Sequence, residues 1–225
     1  MKKRNFLFLF FLLTVGTSCQ NKTFDLSTLK LGESAEPYAL NKNALLEIVP
    51  NSPDKDLVTY SSGERNGLTY EKIPIDSSHI TFITVWKNKI GSIEVFAKEE
   101  YSFQLAEKLL SDLGTPTAVF IDETSINPEI SRQIFSAFHS IFPDDTKWVE
   151  NEWAENNLYD KFEHPYMLFW RKNDVYHVFG ITVDWSGRMR NQYHPVTKEA
   201  YETGRVFGYP YPLPEDSPLF SYMND

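Results

Sequence analysis

Hydrophobic and polar residues alternate between residues 57 and 96, and this period of two is typical of half-buried β-strands. The predicted strands are Leu57–Tyr60, Leu68–Ile73, His79–Trp86 and Ile90–Phe96. They are rich in β-branched and aromatic residues, and Lys87, Asn88 and Lys89 form a short polar connection between the last two. Two such segments joined by a short turn indicate a β-hairpin. The pattern therefore predicts a four-stranded antiparallel meander.

The spacing of apolar residues changes to three and four positions between residues 99 and 141, which predicts two amphipathic helices. Gly114 and Pro116 end the first helix, because glycine favours the position after a helix and proline cannot continue one. Asn127 caps the second helix, Pro128 takes its first position, and Pro143 ends it. The residues predicted to face the core are Phe103, Ala106, Leu109, Leu110 and Leu113 in the first helix and Ile130, Ile134, Phe135, Phe138 and Ile141 in the second.

Four more strand-like segments follow the first helix. Thr117–Ile121 is predicted as a short strand and Lys147–Trp153 as an edge strand. Pro165–Arg171 and Val175–Trp185 are apolar and are joined by the polar residues 172–174, so they predict a second hairpin.

Prolines at every second position make residues 207–214 incompatible with a helix, and this Pro/Tyr-rich segment is predicted as an extended strap. The strap either covers apolar surface with Phe207, Tyr209 and Tyr211 or offers these rings to a groove in a partner. The predicted fold class is α+β, with one or two antiparallel sheets packed against the two amphipathic helices.

The first 18 residues have the arrangement of a secretory signal peptide. Lys2, Lys3 and Arg4 precede the apolar run Phe6–Leu13, and small residues follow it. The run is shorter than the about 20 apolar residues that a membrane-spanning helix needs. We therefore interpret it as a targeting segment.

The signal ends in Gly16-Thr17-Ser18-Cys19, which resembles the lipobox of bacterial lipoproteins. The resemblance covers about the first 20 residues and departs from the usual pattern at Gly16, where leucine is commonest. It implies that a diacylglycerol is attached to the thiol of Cys19, that the chain is cut before this residue, and that the new amino group is acylated. Gln20, in place of an aspartate, implies sorting to the outer membrane by similarity to the enterobacterial rule.

Cys19 is the only cysteine in the chain, so it has no partner for an intramolecular disulfide. Two or more acyl chains would anchor the protein stably, at about 0.8 kcal/mol per buried methylene. The alternatives are ordinary secretory cleavage at Gly16-Thr17-Ser18, which would leave a free thiol, and a segment that stays uncleaved as an anchor. We expect a signal peptide over residues 1–18, the lipidated cysteine and a tether over 19–42, and a single α+β domain over 43–225.

The net charge of the full chain is −9. Cleavage before Cys19 removes three basic side chains and leaves 19 basic and 31 acidic residues, a net charge of −12. Such a charge argues against nucleic acid as a partner and against binding an anionic membrane face through bulk charge. It favours a basic protein as a partner.

The common sequence motifs of zinc proteases, α/β-hydrolases, P-loops, dinucleotide-binding domains and EF-hands do not occur in the chain. His79, His139, His164, His177 and His194 lie on separate predicted elements without the spacing of metal ligands. His177 and Asp184 are seven residues apart on one predicted strand, so they point to opposite faces. The sequence therefore assigns no catalytic residue, no cofactor site and no metal ligand.

An acidic segment that also contains two tryptophans gives the strongest hint of chemistry. Its residues are Asp144, Asp145, Trp148, Glu150, Glu152, Trp153 and Glu155. Glycoside hydrolysis needs two carboxylates across the sugar, often beside aromatic rings. A solvated acidic surface segment accounts for the same residues.

Two functions follow as hypotheses. The first is a lipid-anchored bacterial envelope protein with a non-catalytic binding role, such as an inhibitor or immunity-like protein for a basic partner, held at the membrane through Cys19. The alternative is a carboxylate-dependent hydrolase of cell-wall or glycan substrates that uses residues 144–155.

Overall fold

The computed structural model describes residues 23–49, 54, 56–63, 65–149, 159–204, 206 and 210–224. Its strands are β1 (Phe24–Asp25), β2 (Glu47–Ile48), β3 (Leu57–Ser61), β4 (Leu68–Tyr70), β5 (Ile73–Pro74), β6 (Phe82–Trp86), β7 (Lys89–Ile93), β8 (Ala118–Ile126), β9 (Lys147–Trp148), β10 (Asp160–Lys172), β11 (Val175–Val183) and β12 (Met189–Thr197). Its α-helices are α1 (Ser102–Leu113), α2 (Pro128–Ile141), α3 (Lys198–Glu202) and α4 (Phe220–Met223). This combination of antiparallel sheet and helices confirms the predicted α+β class.

Nine of the described strands form one large antiparallel sheet. Its order is β2-β3-β6-β7-β12-β11-β10-β8, and β9 also pairs with β10. The contact between β7 and β12, with Ser92 opposite Val196, joins the N-terminal strands to the C-terminal strands. A smaller sheet contains β1, β4 and β5, in which β1 is parallel to β4.

Both predicted hairpins are confirmed. Lys87 and Asn88 connect β6 to β7 with φ of 47° and 61°, and Asn173 and Asp174 connect β10 to β11 with φ of 53° and 57°. Positive φ at both central residues is the signature of a type I′ turn, whose twist matches that of the flanking strands.

Alternate residues of the central strands point to opposite faces of the large sheet. On β11, Phe179 and Ile181 belong to one hydrophobic cluster, whereas Tyr176 and Val178 belong to another. We call the first side the helix face, because α1 and α2 pack on it. We call the second side the tail face, because α3 and the C-terminal residues cover it.

The two predicted amphipathic helices are confirmed and cover the helix face. Asn127 caps α2 by accepting a hydrogen bond from the Glu129 N–H at 3.0 Å, and Gly114 ends α1 with φ of 81°. Phe138 is fully buried and meets Phe103 of α1 edge to face, with ring centroids 5.0 Å apart. The other predicted core residues of α2 are only partly buried, although they pack against the same cluster.

The tail face is covered by short elements. Gly91 allows α3 to approach β7, because a Cβ atom at this position would lie 2.9 Å from the Cβ of Ala200. The buried residues of this cluster are Phe169, Tyr176, Val178, Val196, Ala200, Tyr201, Val206, Leu213, Leu219 and Met223.

The predicted tether over residues 19–42 is wrong from Thr23 onward, and residues 19–22 lie outside the described part of the chain. Leu26, Leu29 and Leu40 are buried in the helix-face cluster. The backbone N–H of Gly32 donates to the Ile90 carbonyl at 2.8 Å, which ties this segment to β7. A few well-separated leucines thus anchor a segment that is polar at most other positions.

The predicted meander is wrong at its second strand, although β3, β6 and β7 do pair in order. Glu71 and Lys72 have φ of 51° and 66°, so a tight turn divides this segment into β4 and β5, which belong to the small sheet. β12 was not predicted from the sequence, because its tail-face side carries Arg190, Gln192 and His194, which break the apolar pattern.

Other boundaries also differ from the prediction. β8 is longer than the predicted Thr117–Ile121 strand, whereas the predicted edge strand Lys147–Trp153 is described only as the two-residue β9. In the predicted strap, Leu213 is buried, and Tyr211 is 47 % exposed but meets the ring of Tyr201 edge on. Phe207 and Tyr209 lie outside the described residues.

Within the described residues, no helix is long and apolar enough to cross a lipid bilayer.

Candidate functional site

A cleft of about 440 Å³ lies on the tail face, beside the hairpin that joins β11 to β12. Its floor consists of two cross-strand pairs, Thr182 opposite Arg190 and Gly180 opposite Gln192. These four residues share one face of the sheet, since they alternate with the helix-face residues of the same strands. Clefts of 300–1,000 Å³ are the usual size for small-molecule sites.

One wall of the cleft is built by a tight turn before β6. Asp76 accepts hydrogen bonds from the N–H of Ser78 at 2.9 Å and its hydroxyl at 2.8 Å. Its other oxygen lies 3.0 Å from Nδ1 of His79, and the imidazole stacks on Phe96 with centroids 5.0 Å apart. Burial raises the pKa of Asp76, but the bonds from Ser78 and His79 outweigh it and hold the pKa below its usual value.

The aspartate, histidine and serine of this turn do not form a catalytic triad. Asp76 and the Ser78 hydroxyl both approach Nδ1 of His79, the hydroxyl at 3.2 Å. In a triad, the acid holds one ring nitrogen and the nucleophile uses the other. The group therefore orients the imidazole but does not activate the serine.

The opposite wall contains the tip of the β11–β12 hairpin. Asp184 accepts hydrogen bonds from the backbone of Ser186 and Arg188, and Nε of Arg188 donates to its second oxygen at 3.2 Å. The side-chain bond from Ser186 leads the interactions that lower the pKa of Asp184. At Gly187, with φ of 81°, a Cβ atom would lie 2.4 Å from Ile130, so glycine lets the tip rest on α2.

The side chain of Asn191, on the helix face of β12, joins the cleft to the chain before α1. Its side-chain oxygen accepts from the Ala97 N–H at 2.9 Å, and its nitrogen donates to the Ala97 carbonyl at 3.0 Å and the Ser102 hydroxyl at 2.7 Å. A carboxylate oxygen of Glu99 accepts from the Met189 N–H at 2.9 Å. The chain before α1 is thereby joined to β12.

A buried carboxyl group lies next to the floor. Nε2 of Gln192 donates to one oxygen of Glu94 at 2.5 Å, and Glu94 is only 7 % exposed. The second oxygen of Glu94 has no hydrogen-bond partner among the described residues. Burial raises the pKa of Glu94, and the bond from Gln192 offsets only part of this effect.

The register between β7 and β12 places Glu94 opposite His194, because Ser92 faces Val196 and Val95 faces Tyr193. His194 is buried, and desolvation lowers its pKa to about 4. A neutral imidazole and a carboxyl group with a raised pKa therefore extend the polar floor of the cleft into the interior.

The five histidines lie on different parts of the structure: His79 before β6, His139 on α2, His164 on β10, His177 on β11 and His194 on β12. The sequence offered His177 and Asp184 as the one candidate catalytic pair and placed them on opposite faces of a strand. In the structure, Nδ1 of His177 lies 2.7 Å from the Tyr193 hydroxyl. His164 is buried against Phe138, and desolvation lowers its pKa. No group of three or more potential metal ligands gathers among the described residues.

The acidic, tryptophan-bearing segment is only partly described. Asp144 and Asp145 lie in the turn after α2, and neither lines the cleft. Trp148 stacks on Phe135 of α2 at 4.3 Å, beside a shallow depression of about 510 Å³ that Asp160 also lines. Glu150, Glu152, Trp153, Glu155 and the lipidation residue Cys19 lie outside the described residues. The hydrolase hypothesis and the lipid attachment therefore stay predictions.

Sequence reasoning missed the cleft, because four separate segments build it. The one local signal was Asp76-Ser77-Ser78-His79, in which a short polar run with an aspartate at its first position is typical of a side-chain-capped turn. Arg190 and Gln192 could be recognised only after β12 and its register were known.

The chain matches no known protein family, no curated protein and no solved structure.

Proposed function

We propose that this protein is a lipid-anchored protein of the bacterial envelope that binds a ligand in the cleft without transforming it. The signal peptide and the lipobox-like residues before Cys19 support the anchor. The single observation that carries the binding role is the cleft itself, whose walls are fixed by their own hydrogen bonds. Preorganised walls favour binding, because little side-chain freedom is lost when a ligand enters.

The cleft also favours binding over catalysis. Its carboxylates are engaged in structural hydrogen bonds: Asp76 with Ser78 and His79, and Glu99 with the Met189 backbone. Asp76 and Ser78 both approach the same ring nitrogen of His79. The imidazole therefore does not link an acid on one nitrogen to a nucleophile on the other.

The anchor is tested by growing cells with a clickable palmitate analogue and isolating the protein. We expect label on the wild-type chain and none on the variant Cys19→Ala, which should also leave the membrane fraction. A labelled Cys19→Ala variant, or an unlabelled wild type, would contradict the lipid anchor.

The binding role is tested by native mass spectrometry of the full chain extracted from membranes. We expect a small molecule to be retained by the wild type and by Gly180→Ala, and to be lost from Gly180→Phe. The only atom within 4 Å of a Cβ at Gly180 is the Tyr166 carbonyl oxygen at 3.8 Å, so alanine is accommodated there, and a phenylalanine ring is expected to occupy the cleft that Gly180 lines. Retention of the same molecule by Gly180→Phe would place binding elsewhere.

A second candidate function, docking of a basic partner protein, is favoured by the edge of the large sheet. β8 is a nine-residue edge strand, and no described strand pairs with its outer side. Ile121, Asp122 and Glu123 are exposed at its centre. Such an edge can accept an extended segment of another protein, and the Asp122 carboxylate and the net negative charge would select a basic one, whereas Glu123 is already paired with Lys161.

This docking is tested by affinity capture from envelope membranes at low salt. We expect a captured basic protein to be lost from the double variant Asp122→Asn/Glu123→Gln and retained by the control Asp144→Asn/Asp145→Asn. Equal capture by both variants would show that β8 is not the docking site.

A further inference from the structure

Most of the carboxylate acceptors around the cleft already hold hydrogen bonds from the protein, whereas some of its donors remain free for a ligand. On the acceptor side, both oxygens of Asp76 and one oxygen of Glu99 already hold protein donors. One oxygen of the nearby Glu94 is held by Gln192. These carboxylates therefore maintain the shape of the cleft.

The donor side is less occupied. Arg190 forms no ion pair or side-chain hydrogen bond within the described part of the chain, and its exposed guanidinium lines the cleft. The Thr182 hydroxyl likewise has no side-chain partner among the described residues. By contrast, Arg188 on the wall is paired with Asp184. One arginine of the cleft is thus structural, and the other is available.

The sheet register determines where these donors meet. Thr182 and Arg190 are directly opposite on β11 and β12, and Gly180 and Gln192 are the next pair on the same face. Side chains at opposite positions start about 5 Å apart, so the hydroxyl and the guanidinium can reach one group between them. Gly180 contributes no side chain, which leaves space beside that group.

The remaining lining of the cleft suits an apolar or flat part of a ligand. The ring of Phe96 lies under the imidazole of His79, with an interplanar angle of 23°, and Met189 lines the other side. The hydrogen-bond donors of Arg190 and Thr182 at the floor and the ring of Phe96 at the wall together suit a ligand that has a polar end and an apolar end.

We propose that the cleft recognises a small molecule that carries an oxyanion, either a carboxylate or a phosphate, next to an apolar or aromatic part. The oxyanion is held by the guanidinium of Arg190 and the hydroxyl of Thr182, and the apolar part lies against Phe96. The planar fork of arginine matches either oxyanion with two parallel hydrogen bonds. This inference rests on the proposed binding function and specifies its ligand class.

The test uses ligand-observed NMR with the full lipid-anchored chain in nanodiscs and three probes. Phenylacetate and phenyl phosphate carry the two oxyanions, and phenylacetamide is the uncharged counterpart of phenylacetate. We expect the amide to bind at least about tenfold more weakly than the better anion, because a hydrogen bond to a charged group is lost. The better anion identifies the source of the oxyanion.

Matched variants assign the interaction to Arg190. We expect Arg190→Gln to weaken binding of the better anion at least about tenfold. The control Arg188→Gln, which lies in the same cleft but is already paired, should change it less than about threefold. Arg190→Lys should fall between them, since the charge stays and the fork is lost. Far-ultraviolet circular dichroism checks that each variant remains folded.

Three outcomes would overturn the proposal: equal binding of the amide and the anions, equal losses from Arg190→Gln and Arg188→Gln, or no binding of any probe at millimolar concentration. If Gly180→Phe still removes a native ligand while these probes fail, the binding function stands and only the oxyanion class is wrong. If the probes bind with the expected dependence on Arg190, the cleft is a binding site for oxyanions even when no ligand is retained from membranes.

Discussion

The two faces of the large sheet are covered in different ways. On the helix face, α1 and α2 have 12 and 14 residues and pack against a continuous apolar cluster. On the tail face, α3 and α4 have five and four residues, and the buried polar residues Glu94 and His194 lie near the cleft. Buried polar groups occur on both faces, His164 and Asn191 on the helix face and Glu94 and His194 on the tail face, so the two faces differ in the length of their covering helices and in the presence of the cleft. The following predictions test this division.

The largest effect is expected from Phe138→Ala on the helix face. The fully buried ring contacts Phe103 and His164, so its removal should lower the free energy of unfolding by about 3–5 kcal/mol. Urea denaturation measures this. The counterpart Leu219→Ala on the tail face should cost only about 2 kcal/mol, because the short C-terminal segment can detach without unfolding the sheet. A larger loss from Leu219→Ala would reverse the comparison.

The second prediction concerns pH. Desolvation lowers the pKa of His177 on the helix face and of His194 on the tail face from 6.5 to about 4. These two histidines are therefore protonated near pH 6.5 in the unfolded chain but only near pH 4 in the folded chain. The contribution of these two histidines to stability should therefore be full above pH 6.5 and fall as the pH drops through this window, by about 3 kcal/mol for His194.

The variants His194→Gln and His177→Gln should each remove a similar part of this decline in urea denaturation repeated from pH 7 to pH 4, and the buried His164, whose pKa is also lowered by desolvation, contributes to what remains. Equal slopes for the wild type and His194→Gln would show that His194 does not control the acid sensitivity.

A smaller loss is expected from Asn191→Ala, which breaks the connection between β12 and the chain before α1. The Ala97 N–H and carbonyl would lose their partner, at a cost of about 2 kcal/mol in the free energy of unfolding. The control Ser102→Ala removes only one acceptor of Asn191 and should cost about 1 kcal/mol. If neither variant changed the free energy of unfolding, the hydrogen bonds of Asn191 would not hold β12 to the chain before α1.

The smallest effect is expected from Glu94→Gln, and it has the opposite sign. Burial raises the pKa of Glu94 above 4.5, so its contribution to stability is full below pH 4.5 and is lost as the pH rises through the folded pKa. The amide cannot ionise, so the variant should be more stable than the wild type at pH 7 and equal to it at pH 4. The exposed control Glu163→Gln should match the wild type at both values, by urea denaturation.

The helix face was largely predictable from the sequence, because its signals are local. Apolar residues three and four positions apart define α1 and α2, and Asn127 with Pro128 marks where α2 begins. The two polar turns at residues 87–88 and 173–174 likewise fixed both hairpins.

The tail face and the cleft were not predictable, because their signals are distributed along the chain. The cleft requires residues 76–79, Phe96, β11 and β12 together, and only the sheet register brings Thr182 opposite Arg190. The N-terminal segment failed for a related reason. Leu26, Leu29 and Leu40 follow neither a helical nor a strand period, and the surface they fill is formed by residues much later in the chain.

The early start of the folded domain has a consequence for its place in the envelope. β1 begins at Phe24, five residues after Cys19, and even a fully extended chain of this length spans at most about 18 Å. With a fatty thioether at Cys19, as proposed, the β1 end of the domain is restricted to the immediate neighbourhood of the headgroups. The domain is then held close to the membrane, and any ligand or partner must reach the membrane surface in order to bind.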